Sequence, residues 1–291
     1  ASAFGRGSAG GGINTTSKTP YGETGGSLTV MGGEGEYQRV TGDWNQTLGD
    51  GMAARLAVMA HHNENTGRDH IYSDRWGVAP SIGFGLGGPT SMTIAYLHQD
   101  EEKVPDYGIP TVTVGGIAVP VTDYAVDPTN FYGFATDIDK TTVDTFTARL
   151  RLAVTDWLSL TSDTKYGYYT RYSQYTPTTC GTTTSVAIPV ACNIALTDGN
   201  PATIPLGSVG GPGPYDQDTN GVQNISTATL TAPVGGLRNE LLVGFDVSWQ
   251  QNDRNGYGAY TSRDATKDLL NPVLGNTPVR GPISNVRDTT A

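Results

Sequence analysis

The sequence predicts an all-β chain, the wall of an antiparallel transmembrane β-barrel, and three observations predict it. Segments of about ten residues with alternating hydrophobicity recur between residues 27 and 249. The connections between them alternate short with long, as in a barrel whose tight turns share one rim and whose long loops share the other. The composition, with 39 glycines, 15 tyrosines and 16% charged residues, suits short strands and turns better than helices. No run approaches the roughly 18 consecutive apolar residues of a membrane-spanning helix, but a barrel strand shows lipid only every second side chain.

Each strand has two readable faces. Residues 27–31 set Leu28 and Val30 against Ser27 and Thr29, and residues 37–45 set Val40, Gly42 and Trp44 against Arg39, Thr41, Asp43 and Asn45. The Gly/Asp chemistry of Gly49, Asp50 and Gly51 makes a hairpin into residues 52–63, where Leu56 and Val58 oppose Arg55 and Met59. Residues 76–86 alternate most clearly, with Trp76, Val78, Pro80, Ile82 and Phe84 on one face and Gly77, Ala79, Ser81 and Gly83 on the other. Met92, Ile94 and Tyr96 continue the apolar face in residues 91–99, before a long connection over about 101–140. Residues 143–154 place Phe146, Ala148, Leu150 and Leu152 opposite Thr145, Thr147, Arg149 and Arg151. A tight turn at Thr155 and Asp156 leads to Leu158 and Leu160, and a second long connection covers about 174–220. The Thr-rich residues 225–232 and the strand carrying Leu241, Val243, Phe245, Val247 and Trp249 complete nine predicted strands. Nine is odd, whereas bacterial barrels close on an even number, so the expectation is about nine strands of a larger barrel.

Aromatic residues collect at both ends of this apolar band. Trp44 and Trp157 lie beside short turns, and Tyr72, Trp76, Tyr96, Tyr168 and Trp249 lie toward the long loops. Barrels carry such girdles at their two membrane interfaces, although β-propensity alone also draws aromatics into strands.

Charge and chemistry narrow the function classes. A net charge of -10 and a pI near 4.7 argue against nucleic acid as a partner, since phosphate binding needs clustered Lys and Arg. His61 and His62 are neighbours, so on a strand they point to opposite faces and cannot chelate one metal together; His70 and His98 are isolated. No catalytic constellation and no metal site is predicted, and the chain is not read as an enzyme. Cys180 and Cys192 share one Thr/Pro-rich segment, close enough for a disulfide in an oxidising compartment; a metal pair is the rival, incomplete without a nearby histidine.

Residues 4–20 read unlike the rest, as a glycine-dense turn followed by Ile-Asn, a Thr/Ser run, lysine and proline. Gly5, Gly7 and Gly10 match the spacing of a dinucleotide-binding turn, yet Asn14, Thr15, Thr16 and Ser17 are poor openers of the helix such a turn requires. The stretch instead resembles the end of the plug domain of TonB-dependent siderophore receptors, with Phe4, Gly5, Arg6, Gly7, Gly11, Ile13, Asn14, Ser17, Lys18 and Pro20 on that pattern. Phe4 replaces the usual tyrosine. Residues 76–87, 105–110 and 238–253 also resemble these receptors, most of all the ferric catecholate type.

The resemblance implies residues 1–20 as the end of a plug and residues 21–291 as the first part of a barrel of roughly 22 strands, sited in a Gram-negative outer membrane. It implies ferric siderophore as cargo, with iron carried as substrate and no resident cofactor, and the TonB energy-coupling complex and outer-membrane lipid as partners. An anionic, aromatic cargo calls for cations and rings near the long loops. Arg75, Tyr169 and Arg171 on lumen-facing positions, and Tyr107 and Tyr132 in the first long loop, meet that requirement. The inward Arg39, Arg55, Arg149 and Arg151 are placed to meet plug carboxylates or a watery lumen. The rival functions are a channel without a plug and a soluble, adhesin-like β-protein that binds through its loops.

Overall fold

A computed structural model describes residues 17–124, 126–176, 214–234, 237–258, 269–275 and 282–290. Ten strands form one sheet: β1 (Gly25–Gly32), β2 (Gln38–Gly49), β3 (Met52–Glu64), β4 (Tyr72–Phe84), β5 (Thr90–Lys103), β8 (Ile138–Thr155), β9 (Leu158–Gln174), β10 (Tyr215–Val234), β11 (Leu237–Tyr257) and β12 (Ile283–Thr290). Two short strands, β6 (Thr111–Val114) and β7 (Ile117–Pro120), make a separate hairpin between β5 and β8. Every pairing in the large sheet is antiparallel and between chain neighbours. The sheet is open, with β1 and β12 at its two edges. The predicted nine strands thus become ten, and β12 is the addition.

The faces follow the sequence. Leu28, Trp44, Leu56, Trp76, Phe84, Phe146, Leu160 and Trp249 are all exposed on one side of the sheet, and on β11 Phe245 and Val247 are each 61% exposed. Among the described residues, the only cluster of buried apolar side chains lies in the loops. A sheet that turns its large apolar side chains outward and keeps no core of its own uses lipid as solvent. At the usual rise of ~3.3 Å and tilt of ~40°, the outward row from Leu237 to Trp249 spans about 30 Å, the thickness of a bilayer core.

Register shows where that band ends. Tyr96, Phe146, Tyr166, Val222 and Trp249 are successive cross-strand partners, so a mostly aromatic row crosses five strands. One step nearer the long loops on the same face, the partners are His98 and Asp144, and Tyr168 and Asn220. Polarity changes within a single pair.

Connections segregate by end. The turns at Asp50–Gly51, Gly85–Pro89 and Asp156–Trp157 and the paired strand ends Val234 and Leu237 lie at one end, and the connections 33–37, 65–71 and 104–137 with the strand ends Gln174, Tyr215, Tyr257 and Ile283 lie at the other. Gly51 (φ 66°) and Gly85 (φ 63°) take left-handed backbone in the tight turns. The loop 104–137 has its own core: Val112, Val121, Val126 and Tyr132 pack with Leu269 from the 258–282 connection. Arg68 secures that loop from the β3–β4 turn by donating to the carbonyls of Gly108 and Pro128.

The stretch before β1 lies on the inner face of β2 and β3. Arg55 donates Nη1 to the Thr19 carbonyl (2.8 Å) and Nε and Nη2 to the Asp43 carboxylate (2.8 and 2.7 Å). Lys18 joins the same carboxylate at 2.6 Å. Asn45, fully buried, accepts from the Tyr21 amide and donates to the carbonyls of Tyr21 and Glu23. Lys18 and Pro20 of the predicted plug end are therefore placed against the wall; Gly5, Arg6, Gly7, Gly11, Ile13 and Asn14 lie outside the described residues, as do Cys180 and Cys192. Arg55 and Arg149 pair with carboxylates on neighbouring strands, at Asp43 and Asp163.

Candidate functional site at the lumen mouth

The inner face is polar and carries a line of cations. Successive cross-strand partners run Arg39, His61, Arg75, Glu101, Thr141, Arg171, Gln217 and Arg254, from β2 to β11. These positions alternate with the outward apolar residues, so they face the lumen. The line begins about ten residues from the tight-turn end on β2 and reaches about seventeen on β11, a climb of about 18 Å at ordinary barrel tilt. The cations form a ramp, highest at β11.

Rings gather at its upper part. Tyr107, from the first long loop, stacks on Tyr175 just beyond β9, with ring centroids 4.1 Å apart and planes 13° from parallel. Tyr215, at the start of β10, has the Arg254 guanidinium 3.8 Å from its centroid and that of Arg171 at 5.8 Å. Arg171 also donates Nε to Asp139 at 3.0 Å, and Asp139 is buried. Arg171, Asp139 and Tyr107 line a cavity of about 780 Å³ with Tyr37, Tyr72 and Lys103. Desolvation, reinforced by the nearby Tyr175 and Asp139, pushes the Tyr107 phenol up to about 12, so it stays a neutral donor at physiological pH.

Of the five residues singled out from sequence, Tyr107 and Arg171 meet in this cavity. Arg75 lies lower on the ramp, paired with Glu101 at 2.6 Å. Tyr169 lies on the inner face of β9 with its ring against Gly167, beside a separate depression between β9, β10 and β11. Tyr132 is 2% exposed, and its hydroxyl is committed to the Leu269 carbonyl at 2.8 Å; in this arrangement it packs the loop and offers no surface to a ligand. Tyr175, Tyr215 and Arg254 were not foreseen. Only register joins them to Arg171, because two of them fall inside what reads as a long connection.

A stacked tyrosine pair beside guanidinium groups, one of them on a third ring, has the chemistry to hold a ligand that is both flat and anionic. No family model matches the chain. In sequence it is similar to the catecholate siderophore receptor Fiu of Escherichia coli O157:H7, at 37% identity over 170 residues, 56% of this chain and 22% of that protein. It is also similar to the probable TonB-dependent siderophore receptor PiuA of Acinetobacter baumannii, at 44% identity over 109 residues, 36% of this chain and 14% of that protein. The chain thus spans about a fifth of the curated relatives it matches. Among solved structures, the ferric-catecholate import receptor Fiu from E. coli K12 in its open form superposes over 92% of this chain and 40% of that one, with a TM-score of 0.73 and 26% identity. The pyoverdine outer membrane receptor FpvA from Pseudomonas aeruginosa shares the fold over 94% of this chain and 37% of its own, with a TM-score of 0.75 and 15% identity.

Proposed function

We propose that this chain, which belongs with the TonB-dependent siderophore receptors in sequence and fold, forms part of the barrel of an outer-membrane receptor that takes up ferric siderophores of the catecholate type. The observation that carries the reading is the upper end of the cation ramp, where Arg171 and Arg254 flank Tyr215 beside the stacked Tyr107 and Tyr175. A ferric catecholate presents planar rings and negative charge together, and this corner answers both. In this reading residues 1–20 leave the plug and residues 21–291 begin the wall. The Lys18–Asp43–Arg55 cluster fastens one to the other. Release past the plug draws on the TonB complex, and transport needs no bond-making step from the chain.

The test uses the whole receptor in a strain without other catecholate receptors. Ferric catecholate supports growth under iron limitation, and loss of TonB abolishes uptake while leaving binding intact. Arg171→Ala weakens binding of the ferric catecholate about ten- to a hundredfold, the usual worth of a hydrogen bond to a charged group. Equal binding of a neutral hydroxamate complex, together with unchanged affinity in Arg171→Ala, would overturn the assignment.

A further inference from the structure

On the outer face at the long-loop end, beside the rim of the cavity that Glu64 shares with Tyr107 and Arg171, three carboxylates converge on one imidazole. His62 and Glu64 are alternate residues at the end of β3, Asp74 is the cross-strand partner of His62 on β4, and Glu36 comes from the β1–β2 turn. The turn holds Glu36 in left-handed backbone (φ 50°), and the Glu64 amide donates to the Gly35 carbonyl, so turn and strand end are fixed together. Among the described residues, no lysine or arginine pairs with Glu36, Glu64 or Asp74. Like charges brought this close repel unless a cation lies between them.

The imidazole is oriented for that cation. Asp74 hydrogen-bonds Nδ1, which leaves Nε2 facing Glu36 Oε2 at 3.8 Å. That separation is too long for a hydrogen bond and close to the distance between two ligands of one ion, given metal bonds of about 2.0–2.2 Å. The ligand atoms of Glu36, His62 and Glu64 all lie within 4.8 Å of one another. A carboxylate on the far nitrogen of a metal-binding histidine is the usual way a protein sets its tautomer. We propose that Glu36, His62 and Glu64 bind one divalent transition-metal ion, zinc in kind, with Asp74 positioning the histidine and water completing the shell. An imidazole between two carboxylates favours zinc-like ions over calcium or magnesium, which want more oxygens. The ion ties the β1–β2 turn to the end of β3. The site is independent of the cargo reading and can stand or fall without it.

The adjacency of His61 and His62 argues against metal binding by the pair, and the structure agrees: His61 faces the lumen and bonds Asn63. Spacing on one strand joins His62 and Glu64, whereas Glu36 and Asp74 join them only through the turn and the register.

The test uses the whole receptor that contains this chain, folded in detergent micelles without a histidine tag and titrated with Co²⁺ and then Zn²⁺. The expected result is one equivalent of Co²⁺ with visible d–d absorption, displaced by one equivalent of Zn²⁺. His62→Ala and His62→Gln each lose at least a hundredfold in affinity and the absorption band, Glu36→Gln and Glu64→Gln each lose about tenfold, and His98→Ala is unchanged. Asp74→Asn loses about ten- to a hundredfold in affinity while keeping the band and the stoichiometry, as expected for a positioning group. Affinity unaltered in both His62 variants, or Ca²⁺ competing as well as Zn²⁺, would mean a diffuse acidic surface and would overturn the proposal.

Discussion

Replacing Asn45 by alanine tests how the stretch before β1 is held. The side chain is fully buried and does the work of a missing strand pair: it accepts from the Tyr21 amide at 3.2 Å and donates to the carbonyls of Tyr21 (2.9 Å) and Glu23 (2.6 Å). Alanine strands one backbone donor and removes one partner from each of two acceptors. Charging about 1 kcal/mol to each lost bond gives about 3 kcal/mol, within the range known for buried groups left unpaired. The Arg55–Asp43 cluster still binds Thr19, so the loss stays local. Hydrogen exchange of the Tyr21 amide in micelles reads it directly, and about 3 kcal/mol corresponds to roughly a hundredfold faster exchange through local opening. Asn45→Asp is worse than Asn45→Ala, because it faces two carbonyls with acceptors alone. Exchange accelerated less than about threefold in Asn45→Ala, with global unfolding unchanged, would refute the idea that this residue holds the segment.

The lipid-facing assignment predicts a contrast between neighbours: Val247→Arg destabilises the protein in bilayers by about 2–4 kcal/mol, whereas Ser248→Arg, one residue on and facing the lumen, is nearly neutral by urea unfolding in vesicles. Gly85→Ala forces a left-handed residue (φ 63°) and drives its Cβ into the Thr90 carbonyl, so the β4–β5 turn rearranges and the unfolding midpoint drops. Tyr107, raised to about 12 against an ordinary ~10, favours folding in its neutral form; that contribution is whole below pH ~10 and is lost as pH rises through about 12. Ultraviolet titration of wild type against Tyr107→Phe should show one tyrosine ionising near pH 12. Tyr132→Phe removes the bond to Leu269 and should open the 104–137 loop to limited proteolysis without altering the sheet.

How far the fold was legible depends on depth in the membrane. Inside the band, a period of two with lipid on one side writes each face plainly, and the assignments for Trp76 to Phe84 and for Leu241 to Trp249 match the exposed residues found. Beyond the aromatic row both faces are wet, the alternation fades, and strands that run on past it read as loops. β10 therefore starts at Tyr215, inside the connection read over about 174–220, and β5 runs to Lys103 and β8 starts at Ile138, inside the one read over about 101–140. β12 was missed for the same reason, since Ile283 to Thr290 pairs only with the polar end of β11, from Gln251 to Tyr257. The β6–β7 hairpin had a usable signal in Val112, Val114, Ile117 and Val119 around Gly115 and Gly116, a strand–turn–strand pattern inside the long loop.

The candidate site divides along the same line. Arg171 could be placed because its strand has a face, and Tyr107 because a ring in a long loop near a cation is a reasonable ligand group. Tyr132 has the same composition-level credentials as Tyr107, yet it went inward, because a loop of this length must bury something to hold a shape and Tyr132 sits among the valines that do so. What sequence spacing cannot supply is register. Arg39, His61, Arg75, Arg171 and Arg254 are scattered over more than 200 residues and become one inclined line only when the ladder is known residue by residue. The incline follows from the sheet: tight turns share one rim while the strands lean, so a line drawn across the hydrogen bonds must climb. On the proposed reading alone, an anionic cargo at β10 and β11 meets guanidinium groups at successively lower levels toward β2.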